Sequence, residues 1–283
     1  MKAILCPSLA QPNALAAARQ VANVLARNGV STVFCTLYEG EEIPAPESSA
    51  WSTVENEMAS SDVLVVFGGD GALLRAARLV ADAELPVASV NLGHLGFITD
   101  LGPGDTGEFR RLAARDYAVS ERMMLKAKVI RNGECILEDV VLNDVEIKGR
   151  ERVIALEISG DDAVMLKYTG DGAVVATPTG STAYSMSAGG PIVEPDTEAI
   201  IVTPICPHML AARSFVLDPS RTVRIRMSGE RKNPAVISCD GNDGVSLLPG
   251  DVIEIRRSEK KTRLIRFSER SFYSTVYEKL GDR

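Results

Sequence analysis

The sequence predicts an N-terminal doubly wound α/β domain joined to a C-terminal antiparallel, β-rich, sandwich-like domain. Three observations carry this. Up to about residue 100, apolar strand-like runs alternate with helix-periodic runs, the pattern of a parallel sheet covered on both faces. From Tyr117 to Arg266 the chain is mostly β-like, and several segments alternate in polarity between turn residues. Within that region Asn132-Gly133 supplies a two-residue hairpin signal. The expected boundaries are 1–102 for the α/β domain and 103–268 for the β-rich domain, with a tail, 269–283, returning to the first.

The elements follow in order. "KAILCPS" is a short apolar strand running into a turn. Asn13–Arg27 carries Ala and Leu at helical spacing, and Asn28-Gly29 stops that helix. "VSTVFCTL" is a strand. "DVLVVF" is apolar throughout, as expected of a strand covered on both faces. "ALLRAARLVADA" is a helix and "PVASVN" a further strand. "TGEFRRLAARD" gives a short helix. The β segments after it include "MMLKAKVIRNG", "CILEDVVLNDVEIKG", "VIALEISGDD", "GAVVATP", "AIIVTP", "TVRIRMSG", "PAVISCDG" and "DVIEIRRS".

Composition bounds the function. At 283 residues and 45% hydrophobic, the chain is long enough for a full core in one large or two ordinary domains. A net charge of −7 argues against a general affinity for nucleic acid or anionic membrane. The five cysteines are scattered and form no C-x-x-C pair, so they are expected to be buried free thiols in a reducing compartment. The opening "MKAILCPSLAQPN" lacks a long apolar stretch, and no apolar run reaches membrane-spanning length. A cytoplasmic chain is expected.

Three stretches carry chemistry. In "LVVFGGDGALLRAARLV" an apolar run ends in Gly-Gly-Asp-Gly and a helix begins. Glycines let a ligand approach the backbone, and a helix N-terminus suits phosphate. Asp70 repels phosphate, so it either caps the helix or accepts the proton of a hydroxyl that attacks phosphorus. In "VNLGHLGFITD" a loop follows a strand end, where open α/β sheets bind ligands, and Phe97 offers either an aromatic face or a core side chain. His94 in that loop is a surface or hydrogen-bonding residue rather than a metal ligand. In "GDGAVVATPTGSTAYSMSAGGPIV" a strand runs into a dense set of hydroxyls and then a small-residue helix, a hydrogen-bonding wall for a polar ligand. Asn143-Asp144 and Asp240-Gly241 interrupt or end apolar β segments, where a buried polar group needs a partner. His208, in "TPICPHML", is expected to be structural.

Taken together these motifs resemble the NAD kinases, over nearly the whole chain. Gly68–Gly71 is similar to the Gly-Gly-Asp-Gly-Thr motif, which 6-phosphofructokinases and diacylglycerol kinases share. Asn91–Phe97 resembles the N-x-G-x-L-G-F loop, and "ATPTGSTAYSMSAGGPIV" the family's signature. The resemblance implies a dinucleotide in the cleft between the two domains. It implies transfer of the γ-phosphoryl of ATP, or of inorganic polyphosphate, to the 2′-hydroxyl of the adenosine ribose of NAD, giving NADP. It implies a divalent cation, usually magnesium, and a homodimer or homotetramer.

By the same resemblance Asp70 is the general base, with Gly71 beside the substrate. Asn143 and Asp144 bind the adenosine half, and Asp171 the nicotinamide-side ribose and amide. Thr182, Ala183, Tyr184, Ser185, Met186 and Ser187 form the wall, and Phe97 lies near the adenine. Arg75, Arg152 and Asn242 match further contact positions. No residue of the chain is expected as a metal ligand. The sequence departs from the pattern at Ala72, where the motif has Thr, at Asp144, where it has Glu, and at Asn242, which continues "SCDG". Two other functions are weighed beside this one: a catalytically silent NAD or NADP sensor, and a lipid or sugar kinase sharing the Asp turn.

Overall fold

The computed structural model describes residues 1–38, 40–41, 43, 51–93, 96–228, 234–242, 244–268 and 270–281. His94 lies outside the described residues. The chain divides into two compact units. The first is Met1–Arg122 with Lys260–Arg283, and the second is Met123–Glu259.

The first unit holds strands β1 (Lys2–Pro7), β2 (Ser31–Thr36), β3 (Trp51–Thr53), β4 (Val63–Phe67) and β5 (Val87–Val90). Its helices are α1 (Ala14–Arg27), α2 (Val54–Glu57), α3 (Asp70–Leu79) and α4 (Arg110–Ala114). The strands run parallel in the order β5-β4-β1-β2-β3. Strand alternation divides the core in two. Ala3, Leu5, Val63, Val65 and Phe67 pack with Ala14, Ala18, Val21 and Leu25 of α1. Ile4, Cys6, Leu64 and Val66 pack with Ala72, Leu73 and Ala76 of α3. The strands are therefore apolar on both faces because a helix covers each face. The chain leaves β1 toward β2 on one side and returns through β4 on the other. This strand-order reversal places a switch point at the C-terminal ends of β1 and β4.

The remaining strands lie in the second unit, apart from two strand ends. They are β6 (Ala118–Arg131), β7 (Glu134–Val141), β8 (Asp144–Gly149), β9 (Ile154–Gly160), β10 (Ala163–Gly170) and β11 (Gly172–Ala176). After them come β12 (Ile200–Ile205), β13 (Phe215–Leu217), β14 (Val223–Met227), β15 (Ala235–Cys239), β16 (Val245–Leu247) and β17 (Val252–Arg266). The start of β6 and the end of β17 belong to the first unit. One antiparallel sheet has the order β13-β12-β11-β8-β15-β16. A second layer contains β10-β9-β14-β17, with β6 pairing both β17 and β7. Val145, Ile147, Ala173 and Val175 from the first sheet meet Leu125, Ala127, Leu156, Ile158, Ile225 and Ile253 from the second layer in one core. Asn132 and Gly133 take φ of 52° and 85°, the left-handed pair that the tight β6–β7 hairpin requires.

The expected boundary at 102/103 falls too early. Phe109 and Leu112 close the core beneath α1, so the first unit runs on to Arg122. The expected end at 268 falls too late. Leu264 pairs with Val87 and Ile265 and Phe267 enter the core under α1, so the chain belongs to the first unit again from Lys260. The last helix, α6 (Phe272–Leu280), lies in that unit; α5 (Tyr184–Ser187), in the second unit, is a single turn, shorter than the small-residue helix expected there. All five cysteines are free thiols, but Cys135 and Cys206 are exposed. Cys206 lies at a left-handed turn just past β12, with φ of 44°. Among the described residues no helix is long and apolar enough to cross a membrane.

Candidate functional site

In the first unit the Gly-Gly-Asp-Gly turn lies at the switch point. Ser8 N donates to Phe67 O across it (3.0 Å). Gly68 is fixed by the chain itself, because a Cβ there would press on Ala72 and approach Ser8. Gly69 and Gly71 are different: a Cβ on either would meet open space, so nothing in the protein demands glycine there. Their lack of a side chain leaves room for a ligand at the start of α3. Ala72 is buried in the core under α3, so the side chain at this departure from the motif points into packing.

Asp70 is the first residue of α3, behind an N-cap at Gly69 that makes no side-chain cap bond. Its carboxylate turns to another loop. Phe97 N donates to Oδ2 at 2.8 Å; Ile98 N (3.4 Å), Thr99 N (3.2 Å) and Thr99 Oγ1 (3.1 Å) donate to Oδ1. Asp70 is thus no helix cap. Oδ1 is crowded by three donors, while Oδ2 accepts one and keeps a lone pair. Phe97 is half-buried, and Lys279 Nζ stands 4.1 Å from its ring centroid. Arg75 turns toward the end of β2, with Nε on Leu37 O (3.4 Å) and its guanidinium 5.9 Å from the Tyr38 ring.

In the second unit Asn143 and Asp144 open β8. The Asp240 carboxylate accepts N–H from Leu142 (2.8 Å), Asn143 (2.8 Å) and Asp144 (3.0 Å), which fixes the corner. Thr177 ties the end of β11 to it, donating N–H to Asn143 O (2.8 Å) and Oγ1 to Leu142 O (2.5 Å). Gly180 lies directly on the Asn143 backbone, where a Cβ would collide. Asn143 Oδ1 is buried without a hydrogen-bond partner, which marks an acceptor waiting for a donor. Asp144 is 7% exposed; burial first, then the Asp240 and Glu146 charges, push its carboxyl up to about 7.

The expected wall of hydroxyls is used differently. Thr177, Thr179, Ser181, Thr182 and Ser185 are buried. Ser181 Oγ donates to Pro178 O (2.6 Å) and accepts from Val193 N (3.0 Å); Thr182 Oγ1 donates to Thr179 O (3.2 Å); Ser185 Oγ and Thr203 Oγ1 share a bond of 3.0 Å. These hydroxyls build the tight turn. The partly open surface consists of Ala183, Tyr184 and Met186, with Ser187 exposed. Tyr184 packs on the outer face of β11 and β12 beside Val174, Ala176 and Ile201, and Lys148 Nζ stands 5.9 Å from its ring.

Arg152 and Asp171 are brought together. They line one cavity of about 510 Å³ with Lys148, Arg150 and Glu151. The Cys206 thiol hydrogen-bonds Asp171, whose carboxylate raises the thiol's pKa. Asn242 is exposed just beyond the Asp240 turn, its N–H on Cys239 O (3.1 Å). Sequence reasoning placed Gly96 in the tight loop with Asn91 and Gly93 but not against Asp70, and it singled out neither Thr99, which lies in the same quoted stretch, nor Lys279. Among the described residues no group of three or more His, Cys, Asp or Glu side chains is placed to hold a metal ion.

A parallel α/β unit with an aspartate turn at its switch point, joined to an antiparallel β unit, is the architecture of a nucleotide-handling enzyme. Two family models match this chain: the ATP-NAD kinase N-terminal domain over residues 7–117 and the ATP-NAD kinase C-terminal domain over 137–267. An NAD kinase of Symbiobacterium thermophilum is 43% identical over 85% of this chain and 83% of its own. One of Heliobacterium modesticaldum is 39% identical over 95% of each. The fold matches that of a yeast NADH kinase complexed with NADH, with a TM-score of 0.86 at 22% identity, covering 99% of this chain and 87% of that one. It also matches that of an NAD kinase from Archaeoglobus fulgidus in complex with ATP, with a TM-score of 0.75 at 22% identity, covering 99% and 98%. The chain belongs to the NAD kinase family.

Proposed function

We propose that this protein transfers the γ-phosphoryl group of ATP to the 2′-hydroxyl of the adenosine ribose of NAD, giving NADP and ADP. The observation that carries the reading is the Asp70 carboxylate, held by the 97–99 loop at the start of α3 with Oδ2 keeping a lone pair. In the step, Oδ2 accepts the 2′-hydroxyl proton as that oxygen attacks phosphorus, and the bond from the γ-phosphorus to the bridging oxygen breaks toward ADP. A ribose hydroxyl is a weak nucleophile near neutral pH, so a positioned base contributes roughly 10²–10⁴ in rate. Most of the remainder comes from positioning and charge stabilisation.

The N–H groups at Asp70 and Gly71 and the open space at Gly69 and Gly71 receive phosphate. Magnesium enters with the triphosphate as part of the substrate. Phe97 serves the adenine. Asn143, through its unpartnered Oδ1, and Asp144 serve the adenosine half, and Asp171 the nicotinamide side. Thr182–Ser187 shape the wall, with Tyr184 as its accessible ring, and Arg75, Arg152 and Asn242 are outer contacts. A cytoplasmic homodimer or homotetramer completes the proposal, and light scattering on the purified protein checks the assembly.

The deciding experiment offers ATP or polyphosphate as donor and NAD, diacylglycerol or fructose 6-phosphate as acceptor. NADP formation supports the reading, and the donor comparison fixes the phosphate source. Phosphorylation of the lipid or sugar alone, or binding of NAD with no turnover, overturns it.

A further inference from the structure

The loop Phe97–Asp100 is gripped from two directions inside the first unit. On one side its Phe97, Ile98 and Thr99 N–H groups and the Thr99 hydroxyl bind the Asp70 carboxylate. On the other, the C-terminal segment holds it at two points. The Asp100 carboxylate, whose side chain is 3% exposed, accepts Phe267 N (2.7 Å), Ser268 N (3.3 Å) and Ser268 Oγ (2.5 Å), with Arg266 Nη1 at 3.8 Å. One α6 side chain makes the second contact: Lys279 Nζ over the Phe97 ring. Helix α6 is itself well fixed. Ser271 caps it by accepting Ser274 N (3.1 Å), and Arg270 pairs with Glu278. Lys279 also occupies its last turn, where a cation suits the helix C-terminus.

We propose that Lys279 is a positioning residue for the phosphoryl acceptor, acting through Phe97. The inference rests on the functional reading above, in which Phe97 serves the adenine. A half-buried phenyl ring is free to turn about its side-chain torsions unless something holds a face. The ammonium is drawn to the negative face of the ring and holds it. One face then carries the cation, and in the proposal the flat purine is taken on the opposite face. Because Phe97 also donates its N–H to Asp70 Oδ2, the residue whose ring is fixed from α6 is the same one that orients the proton acceptor. The C-terminal helix, far from Asp70 in the sequence, is thereby part of the acceptor site and not a mere tail.

Four full-length proteins test this: Lys279→Met, Lys279→Arg, Phe97→Leu and the Lys279→Met/Phe97→Leu double variant. Methionine keeps the length and helix preference of lysine and removes the charge; arginine keeps a cation that stacks on rings. Lys279→Met is expected to raise KM for NAD roughly two- to fivefold, the worth of an exposed-to-partly-buried cation–π contact, with a smaller change in kcat. Lys279→Arg restores the wild-type KM. In the Phe97→Leu background the lysine change adds nothing, because the two residues act as one unit. Melting temperatures stay within about 2 °C for the lysine variants, which a bracing role alone would not allow alongside a KM change.

An unchanged KM in Lys279→Met, or the same rise with leucine at position 97, overturns the proposal. If the wild type forms no NADP, the functional reading fails separately. The same four proteins are then compared by calorimetric titration with NAD, where equal affinities overturn the positioning role and the pattern above upholds it.

Discussion

Gly96 lies against the carboxylate of Asp70. A Cβ at position 96 would overlap Asp70 Oδ1 and Thr99 Oγ1, so the loop can wrap the carboxylate only because residue 96 has no side chain. Gly96→Ala should push Asp70 out of its three-donor seat. Small displacements of a reacting group cost about 10²-fold in rate, whereas overpacking costs about 1–3 kcal/mol of stability. Steady-state kinetics and a melting curve on the same sample separate the two. Wild-type kcat in a folded Gly96→Ala protein would show that the seat is irrelevant to turnover.

Asp70→Asn is expected to lower both kcat and stability. The amide replaces one acceptor oxygen with an NH₂ group. Whichever way it turns, a donor faces a donor, either Phe97 N at the Oδ2 position or Thr99 N at the Oδ1 position. The unmade bonds cost about 1–3 kcal/mol, and loss of the base costs about 10² or more in kcat. A variant with lowered Tm but unimpaired kcat at saturating substrate would leave Asp70 as a loop anchor alone.

Gly180→Ala is expected to destabilise the second unit. The added methyl collides with the Asn143 backbone, which has no flexible end to move aside, because Asp240 and Thr177 pin that corner from both sides. A loss of about 2–4 kcal/mol is expected, read as a shift of the urea midpoint at constant m. Serine at the exposed Gly189, by contrast, meets open space but a φ of 88°, so its effect is conformational and smaller.

Much of this was legible in the sequence, for identifiable reasons. "DVLVVF" announced a doubly covered strand, and β4 is buried at every position. Asn132-Gly133 announced its hairpin. What escaped was non-periodic or long-range. Strand β17 is a single polarity pattern that belongs to two units, and only the partners of Leu264 and Ile265 reveal the change. The bond from Asp70 to Phe97 joins two motifs that were each visible, but no local signal states that they touch. The hydroxyls of Thr177–Ser185 looked like ligand contacts because their residue types suit that role equally well. Their burial commits them to the turn, and burial at an irregular turn has no period to betray it.

Asp144 makes stability depend on pH in an unusual direction. Its folded pKa is raised to about 7, first by burial and then by the Asp240 and Glu146 charges, with Lys148 Nζ 3.7 Å from Glu146 as the nearby cation. The unfolded chain releases this proton near pH 4. Between about pH 4 and pH 7 the folded state therefore holds a proton that the unfolded state has lost, and stability falls as pH rises through that window. Above the folded pKa the group carries its full penalty, on the order of a few kcal/mol. Asp144→Asn removes the ionisation and keeps the shape. Its Tm advantage over the wild type is expected to be larger at pH 8 than at pH 5, with the difference growing mainly below pH 7 and levelling above it. Paired melting curves at half-unit pH steps measure this directly. A Tm difference that is flat from pH 5 to pH 8 would mean that Asp144 ionises normally in the fold, and that the Asp240 and Glu146 charges are screened from it.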